Sequence, residues 1–185
     1  SRAQLVYGNM NWSAVITGST PAIFDIREWH IASGRVFIDG EARTGAKVVV
    51  LGATTAKNLF GEEDPVGKTI RISKVPMEVV GVMAPKGQTP WGQDQDDTAF
   101  VPLRTAQLRL FRRASANSVQ RITVAAVDGN SVAEAEREIK AILRQRHRLS
   151  GRDPDDFDVR NMAEMLDAAA QSTRVMSLLL GAVAS

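Results

Sequence analysis

The stretch from Val48 to Met83 constrains the fold more than any other. It reads VVVLG, then LFGEEDPVGKTIRI, then MEVVGVM. The pattern predicts a buried β-branched strand closed by Gly52, a short helix through Phe60, a turn, a half-exposed strand carrying Ile70 and Ile72, and a central strand at 78–82. Small mixed or antiparallel β structure follows. At the centre of this stretch, Gly67-Lys68-Thr69 has the form of the end of a phosphate-binding loop. Such a loop needs a glycine five residues earlier, between a strand and a helix. That position is Glu62, Gly61 lies one residue off register, and a strand follows the lysine. The motif therefore argues against nucleotide binding. Gly61 is expected to end the short helix, Asp64-Pro65 to open a turn, and Gly67 to supply backbone shape.

The 185 residues suffice for one domain or two small ones with a real core. Basic and acidic residues nearly balance, 23 against 21, so the sequence pI of about 9.2 does not imply a nucleic-acid partner. Cysteine is absent, which removes disulfides and sulfur-based metal sites and leaves the compartment open. The last eleven residues, VMSLLLGAVAS, carry no charge. They read either as the first half of a transmembrane helix or as a buried terminal helix, and composition leaves both open.

Taken in order, residues 4–8 and 13–17 read as strands about a turn at Asn9–Asn11. A helical turn follows Pro21, with Trp29 as a core anchor. Ser33–Arg35 reads as a turn entering a strand at 36–38, and Asp39–Gly45 as a loop. Thr54 or Thr55 is expected to cap the helix before Phe60. Residues 84–98 form the longest break, a polar loop carrying Trp91, which serves either as a partner contact or in self-packing. Asp94, Asp96 and Asp97 lack the ligand spacing of a calcium loop and read as solvated. A strand at 99–101 is stopped by Pro102, and Thr105 is expected to cap a helix through Arg112.

Residues 122–127, ITVAAV, read as a central strand. Ser131 and Glu134 form a capping-box signature for a helix to about Arg148 with Val132, Ala135, Ile139, Ile142 and Leu143 as its apolar stripe. Arg144, Arg146, His147, Arg148 and Arg152 read as a solvated basic face near the helix end. A strand at 156–160 precedes a final helix from Met162, capped by Asn161 and Glu164. At about 36 Å, this helix turns from amphipathic to wholly apolar after Arg174. No HExxH pattern, nucleophile elbow or paired carboxylate appears, so no catalytic, cofactor-binding or metal-ligating residue is assigned.

Gly34-Arg35-x-Phe37, VVVLG at 48–52, LFGEEDPVGKTIRI at 59–72, EVVGVM at 78–83 and FVPLRTAQ at 100–107 together resemble the extracytoplasmic core domain of MacB-type ABC transporter permeases, a family that includes lipoprotein-releasing permeases. The resemblance continues through ITVAAV and DFDVRN into the apolar tail. It implies an α+β fold, a porter-like βαβ subdomain with an inserted, mostly β subdomain, and an N-terminal part of the porter fold lying outside this chain. It divides the chain into an N-terminal porter part at 1–39, the insertion at 40–118, a C-terminal porter part at 119–174, and the start of a transmembrane helix at 175–185.

The implied function is an extracytoplasmic, non-enzymatic domain that transmits ATP-driven motion to substrate export. The alternatives are a periplasmic substrate-binding module of a lipoprotein-releasing or peptide exporter, or an extracytoplasmic sensor. Implied partners are a second permease copy, an ABC nucleotide-binding domain with its ATP and magnesium, a periplasmic adaptor protein and an outer-membrane duct. The implied location is the periplasmic side of a bacterial inner membrane. Gly34, Gly52, Gly61, Asp64, Pro65, Gly67, Lys68 and Gly81 match the family pattern as scaffold residues. Trp91, Gln93 and Asp94 are the expected adaptor contacts.

Overall fold

Strand alternation in the central stretch decides which side of the sheet each apolar residue faces. In the computed structural model, which describes residues 1–89, 92–111 and 119–161, the strands are β1 (Arg2–Tyr7), β2 (Met10–Ser19), β3 (Ile31–Gly34), β4 (Val48–Leu51), β5 (Thr69–Ile72), β6 (Val75–Met83) and β7 (Thr98–Pro102). Hydrogen-bonded neighbours run β6–β4–β7–β2–β1–β5 and back to β6, closing a ring, while β3 adds to the C-terminal half of β6. The β4–β6 and β2–β7 pairs are parallel, and the rest are antiparallel. Closure leaves fewer bare strand edges than an open sheet of these strands.

Val49 and Leu51 of β4, Met77 and Val79 of β6, and Ala99 and Val101 of β7 point into one core with Leu5, Ile16, Ile70 and Ile72. The helix α3 (Ala53–Phe60) packs Ala56, Leu59 and Phe60 into the same core. The alternate residues Val48, Val50, Val80 and Phe100 face a second cluster, covered by Phe24 from α1 (Ala22–Ile26) and by Phe37. Trp29 packs edge-on against Phe100 at 4.5 Å, as a half-buried rim of that cluster. Both faces of β4 are thus buried, which accounts for its unbroken apolar run. A bulge at Val80, where Val49 pairs with Val79 but Val50 pairs with Gly81, switches which face β6 presents.

Several expectations are corrected. Asp39–Thr44 is a helix, α2, rather than a loop. Glu41 in its first turn accepts from Ile38 N at 2.8 Å and from both terminal nitrogens of Arg35 at 2.8 Å, so a bidentate pair stabilises a helix whose own sequence is merely polar. Residues 35–38 form a turnless connection and not a strand. Gly52, not Thr54 or Thr55, is the N-cap of α3, and Thr55 lies buried within its first turn. Pro102 belongs to β7, where it pairs with Ser19. Thr105 sits inside the short α4 (Leu103–Thr105), which runs into a π-helical turn at Ala106–Leu110, and donates its hydroxyl to Ala46 O at 2.7 Å.

The Arg35–Glu41 pair has a pH consequence. The hydrogen bonds from Arg35 first, then that from Ile38 N, hold the Glu41 carboxyl below its ordinary value of 4.5. A depressed carboxyl contributes stability that is present above the unfolded value and lost as pH falls through the folded one. The melting temperature is therefore expected to hold down to about pH 5 and fall below it, and Glu41→Gln is expected to flatten part of that fall. An identical acid profile in the variant would remove Glu41 from the account.

The chain divides into two units, Ser1–Val124 and Ala125–Ser185. β1, β2 and β3 share one hydrogen-bonded sheet with β4–β7. Residues 122–127 are not a strand. They carry no regular structure and have no ladder neighbour among the described residues, with Ile122 65% and Val127 99% exposed; apolar alternation makes a strand only where another strand accepts it.

In the second unit, α5 (Val132–His147) matches the predicted helix, but its cap differs. Asp128 accepts from Ser131 N and Ser131 Oγ, both at 2.8 Å, through a 3₁₀ turn at Gly129–Ser131, so the Ser131–Glu134 box does not form. Val132, Ala135, Ile139 and Leu143 are half-buried and Ile142 is exposed. The 156–160 segment is likewise irregular rather than a strand. Arg144 pairs with Asp155 and donates to Asp153 O at 3.1 Å, and His147 Nδ1 lies 2.7 Å from Asp156, so part of the basic run ties down the following loop. The expected final helix and apolar tail lie outside the described residues. Among the described residues, no helix is long and apolar enough to cross a membrane.

Candidate functional site

The loop between β6 and β7 spans residues 84–97, and polar bonds tie its described residues together. The buried Asp96 carboxylate accepts from Lys86 N at 2.9 and 3.1 Å and from Gly87 N at 2.9 Å, joining the two arms at their base. Further out, Gln95 N donates to Gly87 O, Thr89 N to Gln93 O, and Gln93 N to Thr89 Oγ1. Asp94, exposed, accepts from Asp96 N at 2.8 Å. Gln93 is also exposed. Trp91 lies outside the described residues.

The acidic run is therefore not simply solvated, which corrects the sequence reading. Asp97 accepts from the Trp12 indole at 2.7 Å and from Arg2 at 2.9 Å, fastening the end of the loop to β2 and β1. Lys86 donates Nζ to Arg27 O at 2.6 Å and lies over the Trp29 ring. Asp96 and Asp97 escaped the sequence reading because a loop aspartate that points inward has the same local sequence as one that points out. The one available signal was their position directly before a strand.

The glycines of the family pattern sit where backbones touch or turn. Gly34 and Gly81 face each other across β3 and β6. A Cβ on Gly34 would lie 2.3 Å from Val80 O, and one on Gly81 2.3 Å from Arg35 O. A Cβ on Gly52 would lie 2.2 Å from Asp96 O, so this glycine lets the 84–97 loop meet the start of α3. Gly61 ends α3 with its N–H on Lys57 O at 2.9 Å, at φ +61°. Asp64 accepts from Val66 N at 3.1 Å beside Pro65, opening the turn that Gly67 completes at φ +80°. Lys68 pairs with Glu63, which also accepts from the Tyr7 hydroxyl at 3.1 Å. Those two bonds, Lys68 first, depress the Glu63 carboxyl, and Glu63 in turn raises the Lys68 ammonium. This arrangement holds a turn and leaves no phosphate cradle.

Among the described residues no cluster of histidine and carboxylate groups is placed to hold a metal ion. Two shallow depressions, about 370 and 350 Å³, are open to solvent on either side of the Pro65–Gly67 turn. The first is lined by Ser33, Lys57, Glu62 to Pro65 and the apolar Ala56 and Val82, the second by Arg35, Gly67, Glu78 and the apolar Val66, Val79 and Val80. Neither has the enclosed apolar lining of a small-molecule site.

The family model described as the MacB-like periplasmic core domain matches residues 1–142. The chain belongs to that family. The resemblance read from the Val48–Met83 stretch is thereby borne out, as is the α+β fold class. Among relatives of this MacB-like domain, the macrolide export ATP-binding/permease protein MacB of Azoarcus sp. (strain BH72) is 39% identical over 159 residues, covering 86% of this chain and 23% of the relative. The pyoverdine export ATP-binding/permease protein PvdT of Pseudomonas syringae pv. syringae is 35% identical over 188 residues, covering 100% of this chain and 27% of the relative. The chain thus spans about a quarter of the length of these relatives.

The fold is similar to the periplasmic region of MacB from Actinobacillus actinomycetemcomitans, with TM-score 0.68, 23% identity, and coverage of 92% of this chain and 72% of the other. It is also similar to the extracellular domain of the noncanonic ABC-type transporter YknZ from Gram-positive bacteria, with TM-score 0.63, 17% identity, and coverage of 81% and 73%.

Proposed function

We propose that this chain is the extracytoplasmic domain of an ABC transporter permease and that it transmits motion driven by ATP hydrolysis elsewhere to the export of cargo. It sits on the outer side of a bacterial inner membrane, in a homodimeric permease that meets a periplasmic adaptor leading to an outer-membrane duct. The observation that carries this reading is the closed ring of strands around one apolar core, with a second apolar cluster packed on β4, β6 and β7, and with two depressions among the described residues that are both open to solvent. A body built this way moves as a unit. A cargo-capturing module would instead need a concave apolar pocket with convergent polar groups. The relatives support the same reading, since proteins named for macrolide export and for pyoverdine export both match this domain. A part retained across unlike cargos fits transmission better than selection.

Spin labels on the full permease test this reading. With labels at Asn9 and Lys74, in the β1–β2 and β5–β6 turns, the distance inside one ring is expected to stay constant through the ATP cycle. The Lys74–Lys74 distance between two copies is expected to change. A change in the internal distance on adding cargo without ATP would favour the capture module and overturn the transmitter.

A further inference from the structure

The chain leaves the β-rich unit through a turn of rare geometry. After β7 and α4, Ala106–Leu110 form a π-helical turn, the last regular element of the first unit among the described residues. Its hydrogen bond runs from Phe111 N to Ala106 O at 2.8 Å, an i to i+5 spacing. Such turns are uncommon and occur frequently at functional sites. The local sequence does not ask for one. Ala, Gln, Leu, Arg and Leu are all strong α-helix formers, with no proline or glycine among them. Packing imposes the wider turn from both ends. At its start, Thr105 is tied to Ala46 O, and Ala106 lies so close to Gly18 of β2 that a Cβ on that glycine would come within 2.4 Å of the Ala106 Cβ. At its end, Leu110 and Phe111 pack against the core cluster that holds Leu5 and Ile16. In an α-helix, five steps of about 100° would carry Phe111 about 140° round from Ala106 and away from that core. The π bond brings Phe111 back over Ala106, and both reach the same cluster. Local preference and tertiary packing therefore favour different registers of the same residues, a conflict expected at functional or strained positions.

We infer that this turn is a two-register switch at the exit of the ring. With Phe111 seated on the core it holds the π register, and with Phe111 drawn off the core it relaxes to the α register. Either state satisfies the Ala106 carbonyl, from Phe111 N in the first and from Leu110 N in the second, so the exchange leaves that acceptor paired. The two states differ in the burial of Phe111, which favours one, and in the helix preference of the sequence, which favours the other. A change of register turns the chain beyond Phe111 relative to the ring, and displacement of that chain biases the register in return. The inference rests on the proposed transmission of motion and names the element that yields where the chain leaves a body moving as a unit.

Hydrogen exchange of the full permease, nucleotide-free and arrested with ATP bound, tests the switch. The peptide at 103–111 is expected to exchange roughly tenfold faster in one nucleotide state than in the other, while the ring strands exchange equally in both. Deleting Leu108, which is 58% exposed, places Phe111 four residues after Ala106, so an α turn seats the same side chain on the same core and the second register is lost. In this variant the nucleotide dependence is expected to vanish and export per ATP to fall roughly tenfold. Phe111→Ala keeps the chain length and removes the anchor of the π register. It is expected to show the same two losses, and it decides the question if the deletion disturbs exchange in the ring strands. Equal exchange at 103–111 in both states of the parent, or parent-level export per ATP in the variants, overturns the switch. The Lys74–Lys74 distance separates this result from the reading beneath it. If that distance changes with ATP while 103–111 does not respond, transmission stands and the switch is overturned; if neither changes, both fall.

Discussion

Gly34→Ala is expected to destabilise the β-rich unit by about 3 to 5 kcal/mol, enough to lower its melting temperature by more than about 10 °C. Two costs combine at this position. The backbone lies at φ +77°, which an L side chain adopts with strain, and the new methyl would meet Val80 O at 2.3 Å and Gly81 Cα at 2.9 Å. These are backbone atoms of the facing strand, which cannot rotate away as a side-chain tip can. Relief would require β3 to separate from β6, with loss of the Arg35 N bond to Val80 O and exposure of the cluster beneath Phe37. Gly67→Ala is the control. It has a similar φ of +80° but nothing within 4 Å of the added carbon, so it is expected to cost only about 1 kcal/mol. Thermal unfolding of both variants decides the matter, and equal shifts would contradict the close approach of β3 and β6.

Much of the ring was readable before any coordinates, because it is local in sequence. Val48–Leu51, Ile70 and Ile72, and the Glu78–Val82 run have the β-branched alternation of strands, and the two N-terminal strands form as expected, with their turn at Gly8–Asn9 rather than at Asn9–Asn11. What was hidden depends on partners far along the chain. The helix at Asp39–Thr44 is fixed by Arg35 reaching Glu41, and the strand-like run at 122–127 lacks a neighbour to pair with among the described residues. Ring closure through β1–β5 and β5–β6, which places residues 1–39 in the same sheet as 40–111, is a property of pairing that no single segment carries. The candidate site was legible as a place and not as a mechanism. The loop announced itself by composition, while the inward turn of Asp96 and Asp97 appears only in the geometry.

A flexible Gly/Ser insertion beside Ala168, in the full transporter, is expected to separate ATP use from export. Residues 162–185 lie outside the described residues, so this expectation comes from their sequence: an alanine-rich amphipathic stretch followed, after Arg174, by eleven residues without charge. A helix whose polarity changes in this way crosses from water to an apolar phase. If the domain transmits motion, the force has to pass through that junction, and a flexible segment there absorbs displacement that a continuous helix would convey. The insertion alters no residue of the ring. Stability of the β-rich unit is therefore expected to remain at the parent value, which separates this effect from that of Gly34→Ala. The deciding quantity is cargo exported per ATP hydrolysed in reconstituted vesicles. Transmission predicts continued ATP hydrolysis with export reduced to background; an unchanged export-to-ATP ratio would contradict it.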